Sequence, residues 1–335
     1  MLALSWFVAV LEIGAALAAE PATATGPVST DDLHGHAEHF VQADRIERAI
    51  TALDDDHFSV RAAAERRLLE IGAPALPALR TRREGASHEV SFRVIRIADR
   101  ISQAALSADF ERLAAQEVDF KIDLDQGMWL VARIGNPLVR REELSGQLDA
   151  LASAVRQQLG DDVDPAKADP AQVVEALRAA LFGDEGFKGV MVGESPDNSS
   201  LELALRTKRG LPITLSHVVV AVAERLRVPI VGLTLPNHRY MVMYDGSRAP
   251  AGFDRGDIIF DPYNGARVVP RETLAQAIRL ANGRINLEQY IVPCPKRATL
   301  VRMLENLRVD YSRVGQGHKA AEVARYKRIL DIERE

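Results

Sequence analysis

Cysteine is almost missing from this chain, with one residue, Cys294, among 335. A lone thiol excludes an intramolecular disulfide, a cysteine-based zinc site and a dithiol redox pair, so the fold must stand on packing. An excess of charge of either sign is also missing, because 42 Lys and Arg stand against 47 Asp and Glu. That balance creates no field to hold nucleic acid or an anionic membrane at long range, and no nucleic-acid partner is expected. Nor is there a clean apolar run of the roughly 20 residues that a membrane-spanning helix needs. The N-terminal run over 1–10 meets Glu12 before it continues over 13–19, so no stable membrane span is expected. Apolar residues are abundant, at 47% of the chain, enough for a sizeable core in two domains or in one domain with helical additions.

Small residues follow the N-terminal run at the spacing a signal peptidase accepts, as Ala16-Leu17-Ala18 or Ala22-Thr23-Ala24. Residues 1–24 therefore read as a secretory signal, which would export the protein to the periplasm or beyond. The run has no Lys or Arg before it and carries Glu12 within it, so a frayed terminus on a cytoplasmic protein is the competing reading. Residues 25–41 read as a flexible linker. Within them His34, His36 and His39 lie near Asp31 and Asp32, a donor set suited to a transition metal. A polar, Gly-containing stretch has nothing to fix ligand geometry, and no metal and no cofactor are expected.

From 42 to 108 the pattern is helical and repeats. Val60, Ala64, Leu68 and Ile71 form one amphipathic face, and Val90, Val94, Ile97 and Ile101 form another. Gly72 stops the first helix, and Pro74 and Pro77 open the next, which is the rhythm of a helical solenoid. The words Asp56-His57-Phe58-Ser59-Val60-Arg61 and Gly72-Ala73-Pro74-Ala75-Leu76-Pro77 resemble HEAT-like repeats. Two units are fewer than an independent solenoid needs, so this segment is expected to pack on its C-terminal neighbour, as a docking surface or a plain helical cap.

The stretch 109–274 changes character. Helices are expected over 142–159 and 170–182, separated by Gly160-Asp161-Asp162-Val163-Asp164, whose carboxylates do not follow the spacing of a calcium-binding hand and read as a solvated turn. Asn198 or Ser199 suits the cap of a helix that ends near Gly210. Pro212 then suits the first turn of a second helix, where its missing N–H costs nothing. That helix is apolar on most sides over 213–226 and is expected at the centre of the domain. Three β-type runs come next, over 230–235, 240–244 and 257–260. A buried helix followed by an antiparallel sheet is the order of a papain-type site, with a nucleophile at the helix start, a His on one strand and an Asp on the next. His238 and Asp261 hold the two later places, in Pro236-Asn237-His238 and Asp261-Pro262-Tyr263-Asn264-Gly265.

Those words resemble the SirB-like branch of the transglutaminase-like superfamily. The resemblance is carried by Asn198-Ser199 with Leu201, by Arg209-Gly210-Leu211-Pro212-Ile213-Thr214-Leu215-Ser216, by Gly232, and by the His238 and Asp261 words. It extends through Leu300-Val301-Arg302-Met303-Leu304-Glu305-Asn306-Leu307, a tail that in the family resembles tetratricopeptide helices. The resemblance implies an α+β core, a central buried helix against a small antiparallel sheet, flanked by helical repeat-like segments. Arg239 departs from the family pattern, which has an aromatic there, and Tyr240 comes one place later.

In active members the helix opens with G-x-C, and the matching word here is Gly210-Leu211-Pro212. Proline has nothing to attack with. Cys294 comes after both His238 and Asp261 in a Pro-Cys-Pro segment that suits an extended connector rather than a nucleophile. Three roles for the site remain open, one of them purely structural, with a buried Asp261 capping a turn and His238 hydrogen-bonded beside it. Another is a catalytically silent domain, a pseudoenzyme whose cleft binds a peptide-like ligand or protein partner through Asn198, Ser199, Arg209, Gly210, Pro212, Thr214, Pro236, Asn237 and Asn264. The third is a cryptic amide hydrolase or acyltransferase in which Ser216 or Thr214 is activated by His238 and Asp261; whether Ser216 faces cleft or core depends on one helical rotation. His217 reads as a core or edge histidine. Residues 275–335 read as a helical tail, with Leu300, Met303, Leu304 and Leu307 on one face and Val323, Tyr326, Ile329 and Leu330 on another, hinged at Gly315-Gln316-Gly317 and suited to docking a partner.

Overall fold

A computed structural model describes residues 30–190, 195–236, 239–282 and 287–331, in backbone only at 30–40, 120, 197, 281 and 282. The expected signal segment lies outside these residues, as do Asn237 and His238. Helix α1 (Thr30–Thr51) covers part of the expected linker, so 30–41 is helical backbone rather than coil. The side chains of His34, His36 and His39 lie outside the description.

Helices α2 (Phe58–Ile71) and α3 (Leu76–Arg83) join α1 and the first half of α4 (His88–Ala114) around Leu53, Leu68, Leu79, Val94 and Ile97. Gly72, at φ 73°, stops α2, and Pro77 sits in the first turn of α3. The boundary expected at 108/109 falls inside α4. The second half of that helix carries Leu106, Phe110 and Leu113 into the main core, because its apolar stripe continues without a break.

The main core is then built by α5 (Leu124–Gly135), α6 (Arg141–Leu159) and α7 (Pro170–Leu177), which runs on into a π-helical turn over Arg178–Asp184. Next in the chain are strand β1 (Lys188–Gly189), helix α8 (Leu201–Thr207), strand β2 (Arg209–Gly210) and helix α9 (Pro212–Leu226). The strands β1 and β2 pair in parallel. A four-stranded antiparallel sheet comes after α9, in chain order: β3 (Ile230–Thr234), β4 (Tyr240–Tyr244), β5 (Ile258–Asp261) and β6 (Arg267–Val268).

Alternation along β4 decides how the sheet is covered. Tyr240, Val242 and Tyr244 enter the main core with α9, while Met241 and Met243 face Leu274 and Ile278 of α10 (Arg271–Asn282). Both faces of the sheet are therefore buried. Its β3 edge is met by an extended segment, where Pro293 pairs with Leu233 and the Cys294 N–H donates to the Gly232 carbonyl at 2.8 Å.

Helices α11 (Lys296–Arg313) and α12 (Gly317–Leu330) form a hairpin turned by Gly315 at φ 75°. This hairpin is part of the main core rather than a separate tail, and the boundary expected at 274/275 lies within α10. Leu300, Leu304 and Tyr326 are fully buried, and the Tyr326 ring stacks on Phe110 of α4 at 4.7 Å. The start of α11 has no cap from its own neighbourhood. Instead the Asp119 carboxylate accepts the Lys296 and Arg297 N–H groups at 2.8 and 2.9 Å.

Candidate functional site

Helix α9 forms where expected and for the expected reason. Pro212 occupies its first turn, Leu211 before it is extended, and Arg227 ends it in the left-handed region. A sequence apolar on most sides sends the helix through the centre of the main core, with only Glu224 near its end exposed. Thr214 and Ser216 share that fate, each with 0% exposure. The Thr214 hydroxyl donates to the Asn198 carbonyl at 3.3 Å. Ser216 Oγ faces the core and has no hydrogen-bond partner among the described residues.

His217 is buried next to it, and neither ring nitrogen has a partner among the described residues. Its ring lies 5.8 Å from that of Tyr240. Burial alone pulls its pKa down to about 3, so the imidazole is neutral.

Asp261 closes β5 and is 6% exposed. One carboxylate oxygen accepts the Tyr263 N–H at 3.1 Å, and the other accepts the Asn264 amide at 2.7 Å. The Arg239 guanidinium approaches the second oxygen at 3.9 Å. The carboxylate is thus engaged by its own turn and by an exposed arginine, while the loop that carries His238 is described only at half-buried Pro236 and at Arg239.

A short chain of bonds ties this turn to the start of α9. The Tyr263 hydroxyl donates to the Val190 carbonyl at 2.9 Å, and the Val190 N–H donates to the Gly210 carbonyl at 3.2 Å. The Tyr263 ring lies so close over Gly189 that a methyl group there would collide with it. The structure so brings Gly210, Pro212, Thr214 and Asn198 together with Asp261 and Asn264, and leaves Arg209 exposed.

Ser199 is elsewhere. An additional 3-10 turn over Pro196–Ser199 moves the start of α8 to Leu201, so Ser200 stands at the cap position and neither Asn198 nor Ser199 fills it. The Ser199 hydroxyl turns toward Asp310 of α11, whose carboxyl burial pushes upward against the opposing pull of Arg313 and Ser199.

Cys294 sits at the β3 edge, half-buried, and its sulfur accepts the Thr234 and Thr299 hydroxyls at 3.1 and 3.3 Å. Tyr240 opens β4 with its phenol bonded to Thr299 at 2.9 Å, and burial pushes that phenol's pKa up. Arg239 is exposed one place earlier, so the aromatic ring turns inward and the charge outward.

A groove of about 700 Å³ opens over Leu211, Pro212 and Ile213, with Val301 and Arg302 of α11 on its wall. Arg302 stands in the α11 word that carries the resemblance but had no site role there, because no motif marks a helix residue that reaches another element. Among the described residues, no group of three or more His, Cys, Asp or Glu is placed to hold a metal ion, and no helix is long and apolar enough to cross a membrane.

Residues 142–305 match the family model of the transglutaminase-like superfamily. That span runs from α6 into α11 and includes α9 and the whole sheet. Similar curated proteins include a UPF0162 protein of Xylella fastidiosa strain 9a5c, 30% identical over 190 residues that cover 55% of this chain and 64% of that protein. A UPF0162 protein of Pseudomonas aeruginosa is 27% identical over 138 residues, covering 41% of this chain and 47% of its own length. The chain thus spans less than two thirds of these curated relatives. No solved structure matches it significantly.

Proposed function

We propose that this chain is a binding or assembly module on a transglutaminase-like core, without a working nucleophile, that takes a peptide-like ligand or protein partner. Pro212 carries the reading: the first turn of the central helix, where a thiol's pKa is lowered in a thiol enzyme of this design, holds a side chain with no nucleophilic atom. The nearby hydroxyls support it. Thr214 and Ser216 are shut off from solvent, so neither can reach an external amide without the core opening. Asp261 is engaged by Tyr263 and Asn264, as expected of a turn cap.

The second reading, a hydrolase or acyltransferase that uses Ser216 or Thr214 with His238 and Asp261, is favoured by one observation. Asp261 lies one bonded chain away from the start of α9. We assign the core to the SirB-like branch, with the N-terminal HEAT-like helices and the α11–α12 tetratricopeptide-like hairpin as docking surfaces and with export as its route. Phe58 and Phe92, 76% and 66% exposed on the N-terminal helices, support docking there.

Amide hydrolysis and amine transfer measured across a broad peptide and glutamine panel test the proposal, comparing the native chain with His238→Ala and Ser216→Ala. The expected result is no turnover in any of the three. Turnover by the native chain that either variant loses would make it an enzyme.

A further inference from the structure

We propose that Cys294 is a peroxide-reactive thiol, oxidised to a sulfenic acid within a cluster of donors formed by Arg302, Thr299 and Thr234. This goes beyond the binding-module reading, because attack on a peroxide oxygen uses neither the Pro212 cleft nor His238 and Asp261. The cluster draws on separate segments: Thr234 ends β3, Tyr240 opens β4, Cys294 lies on the extended segment along β3, and Thr299 and Arg302 stand on α11. The Thr234 and Thr299 hydroxyls donate to the Cys294 sulfur at 3.1 and 3.3 Å. With its proton on the sulfur, the Thr299 hydroxyl accepts from the Tyr240 phenol at 2.9 Å. Burial, with Cys294 adding to it, pushes that phenol's pKa up, so it keeps its proton and stays a donor. The thiol's own proton has the Pro295 carbonyl, 3.7 Å away.

Arg302 adds the charge. Its Nη2 is closed off from solvent and has no hydrogen-bond partner among the described residues. Arg302 borders the groove over Pro212, yet its titratable neighbours, Cys294 and Tyr240, both lie off that groove. Burial pulls the guanidinium below the ordinary arginine range, and Cys294 pulls the other way. A desolvated cation is a cost to the fold that negative charge beside it offsets.

An inert structural cysteine sits among apolar side chains and asks for no donors. These surroundings match the needs of peroxide cleavage instead. The sulfur's electron pair attacks one oxygen of hydrogen peroxide, an S–O bond forms and the O–O bond breaks. The departing hydroxide takes the thiol's proton and leaves as water, so sulfur is oxidised and the peroxide reduced. Negative charge builds on the departing oxygen, where the Arg302 Nη2 and the threonine hydroxyls are placed to stabilise it. Cys294 is half-buried, and its N–H is tied to the Gly232 carbonyl, so a small oxidant reaches the sulfur more readily than a protein disulfide does. No second cysteine exists in the chain, so the sulfenic acid cannot close an intramolecular disulfide and persists until an external thiol reduces it.

The test compares two reagents on the full chain at neutral pH, hydrogen peroxide with the sulfenic acid trapped by dimedone and read by mass spectrometry, and iodoacetamide, which reports access to the thiol alone. The ratio of the peroxide rate to the iodoacetamide rate is expected to exceed that of N-acetylcysteine by about ten-fold or more, the margin of a charge-assisted hydrogen bond. Arg302→Gln is expected to return the ratio to that of N-acetylcysteine, and Thr299→Val to lower it in part. A native ratio equal to that of N-acetylcysteine, no dimedone adduct at Cys294, or a raised ratio that survives in Arg302→Gln overturns the proposal. Should Arg302→Gln fail to fold, the native ratio and the Thr299→Val result still decide.

Discussion

At the scale of single residues, the groups that matter most are those in which polarity and burial are in tension. His217 is kept neutral with a pKa near 3, against an ordinary value of 6.5. Between these values the unfolded chain binds a proton that the folded chain refuses, so stability falls as pH drops below about 6.5. The loss between pH 7 and pH 5 is about 2 kcal/mol from this residue, and denaturant titrations of His217→Leu are expected to show a pH dependence smaller by that amount.

Asp119 illustrates the opposite case, a carboxylate whose neighbours want it. Asp119→Ala leaves two N–H groups at the start of α11 without acceptors and is expected to cost about 1–2 kcal/mol, read as a lower denaturation midpoint at unchanged slope. Neither effect was legible in the chain. The pKa of His217 depends on its burial in the packed core around α9, and the partners of Asp119 lie at Lys296 and Arg297, on the far side of the sheet in sequence. Pro212 was legible, because a proline in the first turn of a helix explains itself locally.

At the scale of elements, α4 couples the two cores through one uninterrupted helix. Ile101 lies near its middle. Ile101→Pro removes a helical hydrogen bond and bends the axis, at about 3 kcal/mol or more, and is expected to split a single thermal transition into an early one for the N-terminal helices and a later one for the main core. Calorimetry reads the difference directly, and a single sharp transition in the variant would show that the cores are not coupled through this helix.

The strongly patterned elements were readable from sequence. Helix α9 has length and continuous apolarity, and β3, β4 and β5 have β-branched and aromatic runs bounded by turn residues. The pair β1–β2 was not, since two residues per strand contain no period, and the π-helical turn over Arg178–Asp184 reads as a plain continuation of α7. For the same reason the site was half legible. Asp261 and the start of α9 announced themselves by motif, whereas the Val190–Tyr263 link that joins them and Arg302 in the groove depend on contacts between distant segments.

At the scale of the whole molecule, the α11–α12 hairpin contributes Leu300, Met303, Leu304, Leu307, Val323, Tyr326 and Leu330 to the main core. Each fully buried side chain of this kind is worth about 1.5–3 kcal/mol, and together they rival the entire 5–15 kcal/mol stability of an ordinary domain. Deletion of 296–331 is therefore expected to abolish cooperative folding, seen as loss of the near-ultraviolet circular dichroism signal and binding of a hydrophobic dye. A truncated chain that melts cooperatively would mark the hairpin as a separate unit.

The Pro293–Cys294 segment along β3 has a consequence for how copies of this molecule can meet. Bare strand edges invite other chains to extend a sheet, the usual route to fibres and to strand-donating partners. Here Leu233 is paired with Pro293 and the Gly232 carbonyl is already taken by Cys294, while β6 at the opposite edge is two residues long. A visitor arriving in extended form finds the β3 rail occupied and the β6 rail too short to grip. For the binding module proposed above, that leaves side chains in grooves and on helices, rather than a strand edge, as the surface a partner would have to read.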